Sequence, residues 1–153
     1  MSHRALVAAF MPLISIVVSL MLGVRALSRV SAVRLVQLGY LAAITGFVGL
    51  GLFWGQGAAM AVAALWLSGA LGSVQGASFA AIPELNAAAG DRAGAAGAVA
   101  QLGNLGTTTG TPVLVALLAQ SGAGRLAPSA VIPCIVGIAL HCAGPCGQSV
   151  ATD

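Results

Sequence analysis

Uncharged runs at residues 5–24, 35–83, 93–124 and 126–152 make up most of the chain, broken only by single or bunched arginines and acids. A bilayer core of about 30 Å needs roughly 20 helical residues. The runs therefore hold one, two, one and one crossings, which predicts an all-α polytopic transmembrane bundle. The expected spans are 5–24, 35–53, 58–82, 93–120 and 129–144, and residues 1–153 form a single transmembrane domain. Trp54-Gly-Gln-Gly57 divides the long run as an exit turn, with Trp54 at headgroup depth. Pro83 is expected to stop the third span, after which Glu84 and Asn86 open a polar connection ending in Gly90-Asp-Arg92. Asp91 is placed to cap the fourth helix, Pro112 to bend it, and Pro12 to kink the first. Ser121 to Pro128 reads as a turn, and the last span is short, with a tail that lacks a basic anchor.

The fourth span carries the most information. Wound at 3.6 residues per turn, it puts Gly103, Gly106 and Gly110 on one side and Gln101, Asn104 and Thr108 on roughly the opposite side. Glycines let a neighbouring helix approach the backbone closely, whereas amides and hydroxyls require water, a ligand or hydrogen-bond partners. A helix packed on one side and wet on the other suits the wall of a membrane pathway.

The arginines decide which segments stay at the surface. Each Arg near the bilayer centre costs about 2.5 to 3.5 kcal/mol on insertion scales. The segment carrying Arg25, Arg29 and Arg34 is therefore a surface loop. Placing it in the cytoplasm also places Arg92 there and leaves Arg4 and Arg125 outside. The expected topology has the N-terminus outside and the C-terminus inside. His3 and Arg4 ahead of an apolar run imitate a signal peptide, but the run is too long for one and no small-x-small cleavage site follows.

Composition agrees: of 153 residues, 59% are hydrophobic and 6% charged, with mean hydropathy +1.02. A soluble domain carries about a quarter charged residues. The net charge of +3 comes from scattered arginines without a basic face, so nucleic acid is not an expected partner. The Arg-only, Ala- and Gly-rich usage points to a GC-rich bacterial genome and so to a bacterial inner membrane. An odd cysteine count, Cys134, Cys142 and Cys146, makes no disulfide framework, and with His141 it fits no common zinc spacing. No nucleophile lies beside a base and no glycine-rich loop precedes a lysine for phosphate, so neither enzyme chemistry nor a cofactor or metal is expected.

With these residues in place, the chain resembles the major facilitator superfamily of twelve-helix secondary transporters. Gly23, Arg25, Arg29 and Arg34 look like that family's basic loop without its Asp, which favours the degenerate copy after the eighth helix. Gly97, Gly106 and Gly110 match the spacing of its exporter motif G-x8-G-x3-G-P-x2-G-G, although Thr111 displaces the proline to Pro112 and the final glycine pair is missing. The span ending in Ile82-Pro83-Glu84 lacks the Arg of the fourth helix and looks like the tenth. The resemblance covers about residues 5 to 140 and implies helices eight to twelve. It implies alternating access around a midplane site, with the missing N-terminal helices supplied by a longer chain or by a separate partner half.

Each candidate carries two readings. Gln101, Asn104 and Thr108 line a solute pathway or make interhelical hydrogen bonds with no ligand, and Thr107, Thr109 and Thr111 are weaker candidates because threonine bonds back to its own helix. Ser68 and Gln75, one heptad apart, meet solute or simply pack. Gly69, Gly72 and Gly76, together with Gly97, Gly103, Gly106 and Gly110, are helix-packing glycines. Trp66 is either a cavity aromatic or packing, and Glu84 is an interfacial acid rather than a midplane proton site. The expected function is transmembrane transport of a small organic solute as part of a major facilitator-type secondary transporter, with proton-coupled efflux as the candidate mode and only its outward direction drawn from the glycine motif. The alternative is a non-transporting membrane assembly or scaffold subunit, or a non-functional truncated fragment.

Overall fold

A computed structural model describes residues 3–25, 30–121, 124 and 126–147. Among the described residues there are five helices and no strand: α1 (His3–Arg25), α2 (Ala32–Leu52), α3 (Gly57–Leu85), α4 (Ala89–Ser121) and α5 (Leu126–Gly147). Arg29 and Arg125 lie outside the described residues, as do the side chains of Arg4, Arg25, His141 and Cys146.

Three helices are long and apolar enough to cross a membrane: Ala32–Leu52, Gly57–Leu85 and Ala89–Gln120. α1 and α5 carry the shorter apolar stretches Ala5–Met21 and Ala127–Leu140. Large apolar side chains stand exposed on every helix, among them Leu20, Leu52, Val62, Leu102 and Leu140. That surface is suited to hydrocarbon rather than water.

α3 is the centre. α1 runs parallel to it, because contacts climb both helices together in steps of four: Ser68 Oγ donates to the Met11 carbonyl, Gly72 backs onto Ser15, and Gly76 onto Ser19. A Cβ at Gly72 would lie 2.7 Å from Ser15 Oγ and 2.8 Å from its Cα, so only glycine allows this approach. α2 is antiparallel to α3, with Gly46 against Leu67 and Gly39 against Ser73 and Val74. Between them lies a core of Ala43, Leu67 and Ala70, joined by Cys134, and a second cluster of Leu35, Val36 and Ala77. α5 is antiparallel to α2: Gly51 meets Ala127, Gly137 receives the Tyr40 ring, and Gln37 Nε2 donates to Cys142 Sγ at 3.4 Å. α4 touches α3 and α5 only lightly, and none of its apolar stretch is buried.

The helix ends depart from expectation in instructive ways. α3 runs through Pro83 to Leu85 rather than stopping at it. A proline in the last turn forfeits one backbone bond, and the end is closed three residues later, where Asn86 bonds the Ile82 carbonyl through both its backbone N–H (3.0 Å) and its Nδ2 (2.9 Å). Asp91 is the third residue of α4, not its cap, because the helix begins at Ala89. There it sits beside the exposed N–H groups of the first turn, where the helix dipole favours a carboxylate. The expected surface loop is shorter than residues 23–34: Arg25 ends α1 and Arg34 lies in the first turn of α2, its side chain exposed at the rim. Gly55, at φ +80°, supplies the left-handed residue that turns α2 back into α3.

Candidate functional site

α4 is built to leave its middle polar. Its threonines spend their hydroxyls on their own helix: Thr107 bonds the Gly103 carbonyl at 2.6 Å, Thr108 that of Asn104 at 2.8 Å, Thr109 that of Leu105 at 2.7 Å and Thr111 that of Thr107 at 3.3 Å. This back-bonding lets hydroxyls sit in hydrocarbon without an outside partner. The two amides have no such recourse. Gln101 and Asn104 are exposed, their side chains make no hydrogen bond to any described residue, and both lie within four residues of the midpoint of α4. At 1.5 Å per residue that is within about 6 Å of the helix centre.

The orientation of α4 follows from its inner face. Ala95, Val99 and Leu102 line a cleft of about 380 Å³ with Tyr40, Ser78 and Ile82, so this side faces α3. By helical geometry Gln101, Asn104 and Thr108 then point away from the bundle, and Gly103, Gly106 and Gly110 toward it. The expected close packing on those glycines is absent within the described residues: nothing lies within 4 Å of a Cβ built on Gly97, Gly103, Gly106 or Gly110. The glycine positions leave a gap because α4 stands off from α3 and α5. Gly97 belongs by angle to the amide side rather than to the glycine side.

The α3 candidates separate. Ser68 is buried and turned into the α1 seam, donating to the Met11 carbonyl, while Gln75 is exposed. Steps of four residues turn a seam by about 40° each, so at the level of Gln75 it is Gly76 that α1 covers. Gly69 faces Ile14 and Val18 at 3.5 Å, with Gly72 and Gly76 on the same seam.

Three polar contacts were not legible as pairs. Both Glu84 oxygens lie 3.1 Å from the Ala32 backbone N–H, so the end of α3 caps the start of α2, where Ser31 makes no side-chain cap. The signal was a single glutamate at a helix end, but its partner is 52 residues away. Trp66 Nε1 donates to the Ala42 carbonyl and Thr45 Oγ1, both at 3.0 Å, and flanks a cleft of about 270 Å³ with Ile14, Val18 and Gly69. The third is the Gln37–Cys142 bond. Among the described residues no buried side-chain nitrogen or oxygen lacks a partner, as a low-dielectric surround requires.

Comparison with known proteins brings no match: no family model, no curated relative and no solved structure corresponds to this chain.

Proposed function

We propose that this chain works in the bacterial inner membrane, moving a small organic solute as part of a major facilitator-type secondary transporter, with proton-coupled efflux as the mode. One observation carries the reading: the Gln101 and Asn104 amides have no hydrogen-bond partner among the described residues and lie at the middle of a membrane-length helix, on the side turned away from the rest of the bundle. Hydrocarbon charges several kcal/mol for a bare amide, so a wet pathway or a polar partner is the stable surround. The basic-loop and glycine spacings support the family, and Arg34 and Arg92, both near the end of the bundle that carries Glu84, support placing that end in the cytoplasm. In this reading α1 and α5 also cross, making five spans, with the N-terminus outside. A scaffold role is favoured by the glycine side of α4, where no described atom lies within 4 Å of a Cβ built on Gly103, Gly106 or Gly110.

The test is the full-length transporter, this chain together with the N-terminal helices the reading requires, in vesicles under a proton gradient, with efflux of ethidium and of a panel of labelled organic solutes. Gln101→Ala and Asn104→Ala should lower gradient-driven movement at least about tenfold, if each removes one hydrogen bond of about 1.4 kcal/mol to the moving solute, while insertion is unchanged. Movement untouched by both substitutions defeats the pathway assignment. An impermeant maleimide that reaches Arg34→Cys only from outside defeats the topology.

A further inference from the structure

We propose that the cleft flanked by Trp66 holds one acyl chain of a membrane phospholipid. Ile14 and Val18 of α1, Ala42 of α2, and Trp66, Gly69 and Ser73 of α3 line it, around a volume of about 270 Å³. Ala42 is the middle residue of α2, and Gly69 lies two residues from residue 71, the middle of α3, or about 3 Å along the axis. Both helices are long and apolar enough to cross a membrane. The cleft therefore opens at the depth where hydrocarbon chains are the solvent. The proposal goes beyond the transport reading and shares with it only the placing of these helices in a bilayer.

The chemistry of the lining selects a hydrocarbon chain over a solute. No charged residue reaches the cleft. Its polar groups are already engaged within the protein: Trp66 Nε1 donates to the Ala42 carbonyl and to Thr45 Oγ1, both at 3.0 Å, and Ser73 Oγ donates to the Ala70 carbonyl at 2.7 Å. A polar solute would give up hydrogen bonds on entering and regain none. Size points the same way, since pockets that enclose a whole drug-sized ligand span about 300 to 1,000 Å³, whereas this cleft is smaller and is open where the Trp66 ring is exposed. Left empty, its walls and its bare Gly69 floor would lose the dispersion contacts that a run of methylenes supplies. By helical angle Gly69 and Ser73 lie on the side of α3 opposite Ser78 and Ile82, which line the cleft against α4. A chain seated here leaves Gln101 and Asn104 to the solute.

The experiment titrates phosphatidylglycerol brominated at the middle of its acyl chains into the purified full chain in decyl maltoside. It reads Trp66 fluorescence in a Trp54→Phe background, which leaves Trp66 as the sole tryptophan. Bromine quenches an indole only at close range, so a resident chain gives quenching that saturates at one lipid per protein. Lipid that merely joins the micelle gives quenching that rises linearly with its mole fraction. Val18→Phe, which puts a ring into the cleft, should abolish the saturable phase. Gly69→Ala preserves the fold, because its methyl meets Ile14 and Val18 at an ordinary 3.5 Å, and by filling part of the floor it should raise the half-saturating lipid concentration at least about threefold. Linear quenching in the parent chain overturns the proposal, as does a saturable phase that both variants leave unchanged. Recovery of the fluorescence on adding tetraphenylphosphonium overturns it too, by making the cleft a solute site. Linear quenching beside solute movement by the full-length transporter removes the lipid and leaves the transport reading standing. Saturable quenching in a transporter that moves no solute does the reverse.

Discussion

Replacing Gly72 with alanine puts the α1–α3 seam to a quantitative test. The new methyl would meet Ser15 at its carbonyl oxygen, at 2.7 Å from Oγ and at 2.8 Å from Cα. Ordinary contact begins near 3.4 Å, so the helices must part by at least about 0.6 Å, and the yielding atoms are backbone rather than a flexible tip. Overpacking of this kind costs about 1 to 3 kcal/mol, and parting also strains the Ser68 bond to Met11 one turn away. Against this, alanine is the better helix former by about 0.5 to 1 kcal/mol. The same substitution at Gly106 meets no atom within 4 Å and keeps only that gain. The pair of variants should therefore move in opposite directions. The propensity gain is common to both and cancels, so the difference is on the order of 1 to 3 kcal/mol, at least about fivefold in the unfolding constant. Unfolding in mixed micelles by added dodecyl sulfate, followed by tryptophan fluorescence, reads it, because Trp66 flanks the cleft with Ile14 and Val18 of α1. Equal midpoints for the two variants would refute the parallel close packing of α1 on α3.

Two further substitutions probe contacts that join distant parts of the chain. Glu84→Ala should destabilise by about 0.5 to 2 kcal/mol in the same titration, the ordinary worth of a helix cap, because Ser31 makes no side-chain cap of its own. Glu84→Gln, which keeps an acceptor oxygen, should recover part of the loss, and a neutral alanine variant would show that the carboxylate caps nothing. Gly137→Ala places a methyl 2.7 Å from Tyr40 Cζ, which should destabilise by about 1 to 3 kcal/mol and be relieved by Tyr40→Leu. An unchanged midpoint for the single variant would place α5 farther from α2 than described.

Five helices, three of them long and apolar enough to cross a membrane, were written into the spacing of charges, because the cost of an arginine in hydrocarbon is local and additive. The division between α2 and α3 at Trp54-Gly-Gln-Gly57 was legible for the same kind of reason: a turn needs a residue such as Gly55 that tolerates positive φ. Helix ends were less so. Pro83 forfeits only its own N–H bond, so the helix runs through it to Leu85, where Asn86 closes the end on the Ile82 carbonyl.

By itself the sequence determined that five apolar helices form, that their charged residues collect near the ends, and that the middle of α4 is polar on one side and bare on the other. Only tertiary structure decided which small residues are contacts. Gly72 and Gly106 are the same residue in similar apolar settings, yet one meets the Ser15 backbone and the other meets nothing within 4 Å. Ser68 and Gln75 share a helical face, yet one is sealed under α1 and the other exposed. The reason is physical: helical periodicity places a residue on a face, but which face is covered depends on where a second helix lies, and that is set by contacts between residues such as Met11 and Ser68, 57 positions apart.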